Sequence, residues 1–325
     1  MLVIATFNVC NLGAHASPAR LARLGVIIAR DLGSPDIIAL QEIMAEGPVL
    51  AGGQVPADAA YQALIAAIGA AGGPSYAFRE VPPRADQDGG MAGANIRVGL
   101  LFNPVRVAFP GRGCAGPEDK VGIRYRDRQP SLTLNPGRIA PMHPAFAGDN
   151  RYHWVPSRKM LASEFAIGGR RLFVIVCHFK SMRSSTRRDE DYAKKQRHAQ
   201  AEIIHDFATD LLACDPQAAI VLLGDLNDVP DSKTLKLLKG EQFHNLLDDL
   251  PCGQCYTRRH GSQPQALDHI LISPALRNNA VARISHNYGD MTSSQSEPAS
   301  DHDPVVAELP ALEDPAATLI LAMPR

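Results

Sequence analysis

The chain has 325 residues, of which 45% are hydrophobic, so it can bury a sizeable core in one large domain or two ordinary ones. Its 33 Lys and Arg nearly balance its 34 Asp and Glu, and the net charge of -1 excludes a global field that would draw it to nucleic acid or an anionic membrane. Any basic site must therefore be local. No apolar run approaches the ~20 residues that span a bilayer, which predicts that there is no membrane anchor.

The six cysteines are scattered, and the amino terminus begins directly with strand-like residues rather than with a secretory leader. We therefore expect free thiols and a reducing, cytoplasmic location. Cys252 and Cys255 form a lone Cys-x-x-Cys with no matching second pair, a pattern that favours loop cysteines over a zinc site.

In the first half of the chain, short apolar runs alternate with helical periodicity. Residues 2–7 predict a strand that ends on Asn8, and residues 36–40 predict a second strand that ends on Glu42. Between them, Ser17-Pro18 supplies an N-cap and a first-turn proline for a helix of about four turns. The pattern further predicts a helix over 59–71, strands over 76–81 and 96–102, and strands joined by long surface loops over 104–156.

The second half repeats the alternation. Residues 159–166 and 171–177 predict a hairpin whose second strand ends on His178. The segment 180–198 then carries seven Lys or Arg against three Asp or Glu, and it leads into a helix that runs through Leu211. A buried strand over 220–223 ends in Gly224-Asp-Leu-Asn227, and a helix over 232–239 follows. The last predicted strands, 267–273 and 300–308, carry their polar residues at the start.

Alternating strands and helices with hairpin patterns in both halves predict an α/β (α+β) fold of two packed mixed sheets flanked by helices. No solenoid repeat and no linker interrupt the pattern. We expect a single domain over residues 1–310 and a tail over 311–325.

The polar residues at the strand ends form one set if the last two strands run antiparallel to the others. Under that single assumption, six strand ends meet at one edge of the sheets. The set comprises Asn8, Glu42, His178, the pair Asp225 and Asn227, Asp268, and the pair Asp301 and His302.

This set has a definite chemistry. Asn8, Glu42 and Asp301 are oxygen donors of the kind that magnesium accepts. His302 beside a carboxylate such as Asp268 would make a general-base dyad. With no obvious serine or cysteine nucleophile, the set indicates water attack on a phosphate ester.

Each residue alone also has a purely structural interpretation. Gly-Asp-x-Asn after a strand is an ordinary turn, Asn8 can cap a turn, and a single histidine such as His178 is often a core residue. The basic residues around Arg187 can form a solvated helix face. It is the joint appearance of the polar residues at strand ends that favours a site.

The motifs resemble, in chain order, those of the endonuclease/exonuclease/phosphatase superfamily, and they span nearly the whole chain. They are Thr6-Phe-Asn8, Leu40-Gln-Glu42, His178-Phe-Lys-Ser181, Gly224-Asp-Leu-Asn-Asp228, Leu267-Asp-His269 and Ser300-Asp-His-Asp-Pro304. Further runs, including Ser157-Arg-Lys and Leu134-Asn-Pro-Gly-Arg138, are similar to a bacterial branch of predicted, often extracellular, nucleases.

The resemblance implies a four-layer sandwich of the deoxyribonuclease type and a role for each matched residue. Asn8 and Glu42 would hold the divalent ion with help from Asp301, and His302 with Asp268 would be the acid/base dyad. Asp225 and Asn227 would orient the nucleophile and the phosphate, and His178 would bind the scissile phosphate. Arg158 matches a family arginine near the site, Lys180 would contact phosphate, and Glu80 would orient His178.

Two departures from the family pattern qualify these expectations. The tyrosine motif of abasic-site repair members has no counterpart, which argues against that role. The chain also starts at its first strand, although the branch is often secreted.

The first functional hypothesis is therefore a nuclease that uses Mg²⁺, or alternatively Mn²⁺ or Ca²⁺, with the basic segment 180–197 on the nucleic-acid backbone. The second is a phosphatase or phosphodiesterase acting on phospholipid headgroups or inositol phosphates, which the near-zero net charge leaves open. The third is a catalytically silent binding module, which the complete set of metal and base residues disfavours. No protein partner is indicated.

Overall fold

The structure is a computed structural model and describes residues 1–126, 129–183, 185–260, 263–286, 298–310 and 312. In chain order, the strands are β1 (Leu2–Leu12), β2 (Ile37–Ile43), β3 (Ala77–Arg79), β4 (Arg97–Phe102), β5 (Ile123–Arg126), β6 (Gln129–Leu132), β7 (Gly137–Arg138), β8 (Leu161–Ile167), β9 (Arg170–His178), β10 (Ala219–Asp225), β11 (His244–Asn245), β12 (Arg258–His260), β13 (Gln263–Gln265), β14 (Asp268–Ile272), β15 (Val281–Ile284) and β16 (Val305–Leu309). The α-helices are α1 (Pro18–Val26), α2 (Asp58–Ala70), α3 (Pro144–Ala147), α4 (Arg187–Cys214) and α5 (Lys233–Lys239).

Two six-stranded sheets form the centre of the molecule. The first has the strand order β15-β16-β1-β2-β4-β3, and the second has the order β11-β14-β10-β9-β8-β7. Each sheet contains one parallel pair, β1 with β2 and β9 with β10, and both pairs are joined by a helical crossover through α1 or α4. The other pairs within these sheets are antiparallel, so both sheets are mixed.

Three apolar clusters fill the spaces between four layers. One cluster lies between the sheets, one between the first sheet and α1 and α2, and one between the second sheet and α4 and α5. Strand β10 shows how the alternation works, because Val221 and Leu223 face the other sheet while Ile220 and Leu222 face the helices. The structure is thus a four-layer sandwich, and the predicted fold class is confirmed.

The helices begin where their caps predict and differ in how they end. Ser17 accepts a hydrogen bond at Oγ from the Arg20 N–H, and Pro18 occupies the first turn of α1. The predicted four-turn helix is α-helical only to Val26 and continues as a π-turn over Ile27–Asp31. Helix α4 begins earlier than its apolar pattern indicates, at Arg187, because Thr186 is its N-cap. The Oγ1 of Thr186 accepts a hydrogen bond from the Asp189 N–H at 3.1 Å.

The region 104–156 contributes peripheral structure, as expected for strands joined by surface loops. It forms the β5–β6 hairpin, the short edge strand β7 and the single-turn helix α3, which packs near α4. Of the predicted tail 311–325, only Leu312 is among the described residues, and it is buried against the central cluster. The division into a domain and a tail stays a prediction.

Within the part of the chain that the structure describes, no helix combines the length and the apolar character that crossing a bilayer requires. Cys252 opens a 3-10 turn over Cys252–Gln254, and Cys255 follows this turn. The side chain of Cys252 lies outside the description.

Candidate active site

The predicted strand ends meet between the two sheets. Strand β14 runs antiparallel to β10, and β16 runs antiparallel to β1, which is the condition that the sequence argument requires. Alternation along β10 carries Asp225 onto the same inner face as Leu223, and alternation along β9 carries His178 onto the face of Val176. The site therefore lies at the end of the apolar core between the two sheets.

A β-bulge brings Glu42 to the site. The side chain of Gln41 already occupies the inner face of β2, where Thr6 donates to it at 3.1 Å, so regular alternation would send Glu42 to the opposite face. Instead, the register shifts between Gln41 and Ile43, and Glu42 has a φ of 61°. The Glu42 carboxylate then accepts hydrogen bonds from Asn8 Nδ2 at 3.3 Å and from the Asn11 N–H at 3.1 Å.

Asp225 lies at the centre of the site. Its Oδ2 accepts a hydrogen bond from Asn8 Nδ2 at 3.1 Å and lies 3.5 Å from His178 Nε2 and 4.0 Å from His302 Nε2. Its Oδ1 accepts from the Asn227 N–H at 2.9 Å. Burial and the nearby Asp268 carboxylate raise the pKa of Asp225 to about 7. Repulsion among these buried carboxylates therefore disfavours their ionised forms unless a positive charge lies close by.

His302 and Asp268 form a buried pair. His302 Nδ1 lies 2.6 Å from Asp268 Oδ2, which leaves Nε2 facing the cleft. Burial disfavours the imidazolium, but the surrounding carboxylates, Asp268 first, outweigh it and raise the pKa of His302 to about 10. The geometry is that of a histidine whose tautomer and orientation a carboxylate fixes.

His178 has the opposite electrostatics. Burial and the positive charges of Arg158, His302 and Lys180 hold its pKa well below the ordinary value, so the ring is neutral. Its Nδ1 is buried without a hydrogen-bond partner, and its Nε2 faces the carboxylates of Asp225 and Glu42. A neutral imidazole at this position can donate a hydrogen bond to a phosphoryl oxygen without adding charge.

Two residues that the sequence analysis did not assign hold the dyad in place. Thr257 accepts at Oγ1 from the Asp268 N–H at 3.1 Å, and its carbonyl accepts from the Asp303 N–H at 2.6 Å. Ser300 donates from Oγ to the Asn8 carbonyl at 2.6 Å and accepts from the His302 N–H at 3.0 Å. The serine was visible in the Ser-Asp-His-Asp motif, whereas no local pattern marks the threonine.

The three predicted metal ligands lie around the same point, but each has a protein partner. Asn8 donates from Nδ2 to Glu42 and Asp225, while its Oδ1 accepts from the Cys10 N–H at 3.0 Å. Asp301 Oδ2 forms a 2.6 Å ion pair with Arg258, a residue that the sequence analysis missed. Although burial opposes ionisation, His302 and Arg258 lower the pKa of Asp301.

The donor set suits a hard divalent cation. Glu42, Asp225 and Asp301 are carboxylates that line one cleft, and Asp268 Oδ1 is buried without a hydrogen-bond partner. Ligand atoms of Asp225, Asp268 and His302 also lie within 4.8 Å of one another. The 2.6 Å hydrogen bond already engages Asp268 Oδ2 with His302 Nδ1.

Basic side chains line the cleft, which has a volume of about 580 Å³. Arg158 is buried and donates to the Phe179 carbonyl, which also accepts from Asn227 Nδ2 at 3.2 Å. Burial, together with Arg158 and Arg197, lowers the pKa of Lys180 to about 8. Arg183 and Arg258 also line the cleft, so cationic groups face its acidic centre.

Two expectations about substrate contacts do not fit the structure. Glu80 is not placed to orient His178, because its carboxylate is paired with the buried Arg97 at 3.2 Å and accepts from the Ala57 N–H at 3.0 Å. The basic segment 180–197 does not present all of its charges to solvent. Arg197 is only 1% exposed and is paired with Asp228 at 3.1 Å, an interaction that fixes the loop after β10.

All the other predicted site residues, from Asn8 to His302, are brought together at one end of the two sheets. The individual catalytic, metal and substrate roles stay predictions. The family model described as "Endonuclease/Exonuclease/phosphatase family" matches residues 5–302. The chain belongs to the endonuclease/exonuclease/phosphatase family. A comparison with curated proteins found no match.

Solved structures share the fold at low sequence identity. Truncated TDP2 from Caenorhabditis elegans has a TM-score of 0.59 at 16% identity, over 95% of this chain and 97% of that chain. D. rerio TDP2 complexed with single-strand DNA product has a TM-score of 0.55 at 14% identity, over 95% and 99%. The human Nocturnin catalytic domain with bound sulfate has a TM-score of 0.55 at 16% identity, over 95% and 94%.

Membership of the endonuclease/exonuclease/phosphatase family confirms two predictions. The chain is an enzyme, a hydrolase that acts on phosphate-ester bonds, and its family depends on a divalent metal. The similar solved structures confirm the predicted superfamily fold.

Proposed function

We propose that this enzyme is a nuclease that cleaves DNA or RNA with Mg²⁺ by water attack on the phosphodiester. The observation that carries the proposal is the meeting of the His302–Asp268 pair, neutral His178 and the carboxylates of Glu42, Asp225 and Asp301 in one open cleft with basic walls. These groups supply a pair for proton transfer, a hydrogen-bond donor to a phosphoryl oxygen and charge compensation at one place, as phosphodiester hydrolysis requires.

Each residue has a role that follows from its geometry. A cation beside the carboxylates of the site would lower the pKa of His302 from about 10, so that Nε2 can take a proton from water and later return it, while Asp268 holds the tautomer and stabilises the imidazolium. His178 Nε2 and Asn227 Nδ2 donate to phosphoryl oxygens, and Asp225 orients the attacking water through Oδ2. Arg158 and Lys180 bring positive charge to the substrate phosphates.

Glu42, Asp301 and Asn8 would hold the divalent ion. The bound ion would neutralise phosphate charge and lower the pKa of a water bound to it. For Asn8 to present its oxygen, its amide must rotate, because Nδ2 now faces the carboxylates. Mg²⁺ is preferred because it accepts a few carboxylates and keeps water ligands, and Mn²⁺ and Ca²⁺ are the alternatives.

A nucleic-acid substrate is supported by the open cleft and its cationic walls. The DNA product bound to the D. rerio TDP2 structure and the sulfate bound to the human Nocturnin domain are, in addition, anionic ligands of proteins with the same fold. The cytoplasmic location and the absence of a protein partner stay predictions.

The test is cleavage of plasmid and of single-stranded DNA and RNA in Mg²⁺, in Mn²⁺ and in Ca²⁺. We expect cleavage that EDTA abolishes and that His302→Ala reduces by at least ~100-fold. His244→Ala is the matched control, because this histidine pairs with Asp249 at 2.7 Å outside the cleft. Nucleic acids that stay intact in all three metals would refute the nuclease assignment.

The same assay, extended to phospholipid headgroups and inositol phosphates, separates the nuclease from the second hypothesis. Hydrolysis of those substrates without cleavage of nucleic acid would establish the alternative. The third hypothesis, a catalytically silent binding module, is set aside because the chain belongs to a family of hydrolases.

A further inference from the structure

A side groove opens from the catalytic cleft. It has a volume of about 240 Å³ and shares Val155, Lys180 and Arg183 with the cleft. Its outer wall is formed by His153 and by Tyr192 of α4. A ligand whose phosphate lies among the catalytic residues can therefore extend into this groove past two basic side chains.

The outer wall of the side groove is an aromatic platform. The rings of His153 and Tyr192 are stacked with their centroids 4.5 Å apart and an angle of 28° between their planes. Arg188 and Lys195 lie 5.6 Å and 5.7 Å from the centroid of the Tyr192 ring. Because His153 is exposed and Tyr192 supports it, the outer face of the imidazole is available to a planar group.

Hydrogen bonds within the loop and from α4 fix the loop that carries this platform. His153 has a φ of 56°, in the left-handed region that few non-glycine residues adopt, although histidine does so more readily than most. Asp149 and Trp154 exchange backbone hydrogen bonds of 2.9 Å and 3.0 Å around it. From α4, the buried Gln196 donates to the Val155 carbonyl at 2.7 Å. The platform is therefore pre-organised, and a ligand would not have to order it.

The charge of the groove favours an anionic ligand. Lys180 and Arg183 stand at its junction with the cleft. The one carboxylate among its lining residues, Asp189, is engaged at the start of α4, where Ser185 Oγ and Thr186 Oγ1 donate to it at 2.8 Å. Glu190, its neighbour, is paired with Lys194 at 2.7 Å.

We propose that the side groove binds a nucleobase next to the scissile phosphate, with the base stacked on His153. This inference rests on the proposed nuclease function and deepens it. An aromatic face beside a basic track is the arrangement by which proteins bind single-stranded nucleic acid without reading its sequence. In a duplex, both faces of a base are already stacked, so the groove selects single strands over double strands.

The test is binding of fluorescent oligonucleotides, measured by anisotropy in EDTA so that no cleavage occurs. One oligonucleotide carries normal bases, and the other has the same length and charge but an abasic backbone. We expect the protein to bind the normal strand about tenfold more tightly, since stacking on an aromatic side chain contributes on that order. His153→Ala should abolish this preference, and His153→Phe should keep it.

Tyr125→Ala is the matched control, because Tyr125 is 55% exposed on β5 and lines neither cavity. Equal binding of the two strands by the unmodified protein, or a preference that survives His153→Ala, would overturn the inference. The outcome is separate from that of the nuclease assay. Cleavage of DNA together with equal binding would refute only the side groove, whereas a base preference without cleavage would refute only the nuclease.

Discussion

At the scale of single residues, the hydrogen bond between Asp268 and His302 determines which imidazole nitrogen faces the cleft. Asp268→Asn preserves the shape but removes the charge that stabilises the imidazolium, so we expect kcat to fall by about 10²–10⁴. His302→Ala should have a loss of similar size, and the double variant should be little worse because the pair acts as a unit. Additive losses in kcat would contradict this assignment.

Lys180 gives the substrate affinity a pH dependence. Because its pKa is lowered to about 8, its charge is present below that pH and is lost as the pH rises through it. We expect KM for a phosphodiester to increase above about pH 8. Lys180→Arg should remove this increase, since the guanidinium keeps its charge. A KM profile that is the same in both proteins would show that Lys180 does not contact the substrate.

Substitution of Glu80 tests whether this residue supports stability or catalysis. Its carboxylate is buried beside Arg97, so Glu80→Gln leaves a buried positive charge without its partner and should lower the free energy of unfolding by about 3–5 kcal/mol. Urea denaturation measures this loss. Glu118→Gln, in the half-exposed pair with Arg84, should cost less than about 1 kcal/mol. If Glu80→Gln instead lowered kcat without affecting stability, Glu80 would act on His178 after all.

Sequence reasoning at this scale found side chains that meet at the candidate site and missed some of their supporting partners. Asn8 and Asp225 end apolar runs and His302 precedes one, and periodicity reveals those runs. Arg258 reaches Asp301 across 43 residues of sequence, and Glu80 turns away toward Arg97, so neither arrangement leaves a local pattern.

At the scale of elements, the strand β10 depends on the absence of a side chain at Gly224. Its φ is 141°, and a Cβ there would lie 1.9 Å from the Cys177 carbonyl oxygen on β9. We expect Gly224→Ala to force β9 and β10 apart, to lower the free energy of unfolding by at least ~2 kcal/mol and to displace both Asp225 and His178. The matched control is Gly69→Ala in α2, where a Cβ meets nothing within 4 Å.

Gly69→Ala should be neutral or should stabilise the helix by up to about 1 kcal/mol, because alanine has the higher helix propensity. Urea unfolding and kcat together check the pair of variants. Equal stability of the two variants would mean that the close approach at Gly224 relaxes freely.

Most elements could be predicted because their buried faces have a clear period. The bulge at Glu42 could not, since it lies at the end of β2, where only Ile43 follows it and no longer alternation shows the shift. The change from α-helix to π-turn after Val26 is equally invisible, because the apolar spacing continues through it.

At the scale of the whole molecule, the carboxylates of the site belong to both sheets. Glu42 and Asp301 attach to the first sheet and Asp225 faces them from the second, so a cation held by Glu42 and Asp301 would also offset the charge of Asp225 and should stabilise the folded chain as a whole. We expect Mg²⁺ at 100 times its dissociation constant to add about 2.7 kcal/mol to the free energy of unfolding. Thermal unfolding with and without EDTA measures this.

The double variant Glu42→Gln and Asp301→Asn should lose the stabilisation by Mg²⁺. The control Asp249→Asn, at an exposed carboxylate outside the cleft, should retain it. A Tm that Mg²⁺ leaves unchanged in the unmodified protein would refute the cation site.

The four-layer sandwich could be predicted because motifs spread over the chain had to meet at one edge. The substrate could not, because the side groove combines a loop before β8 with the first turns of α4. Their contact depends on tertiary packing, as between His153 and Tyr192, rather than on any spacing in the sequence.

The pairing of β1 with β16 has a consequence for the synthesis of the protein. Leu2 pairs with Leu309, and Asp301 and His302 directly precede the strand that completes the sheet. A ribosome therefore makes Asn8 and Glu42 about 260 residues or more before it makes Asp301 and His302. Until the ribosome has passed Leu309, the growing polypeptide holds no complete candidate site, so hydrolysis by the nascent chain must wait for this last strand.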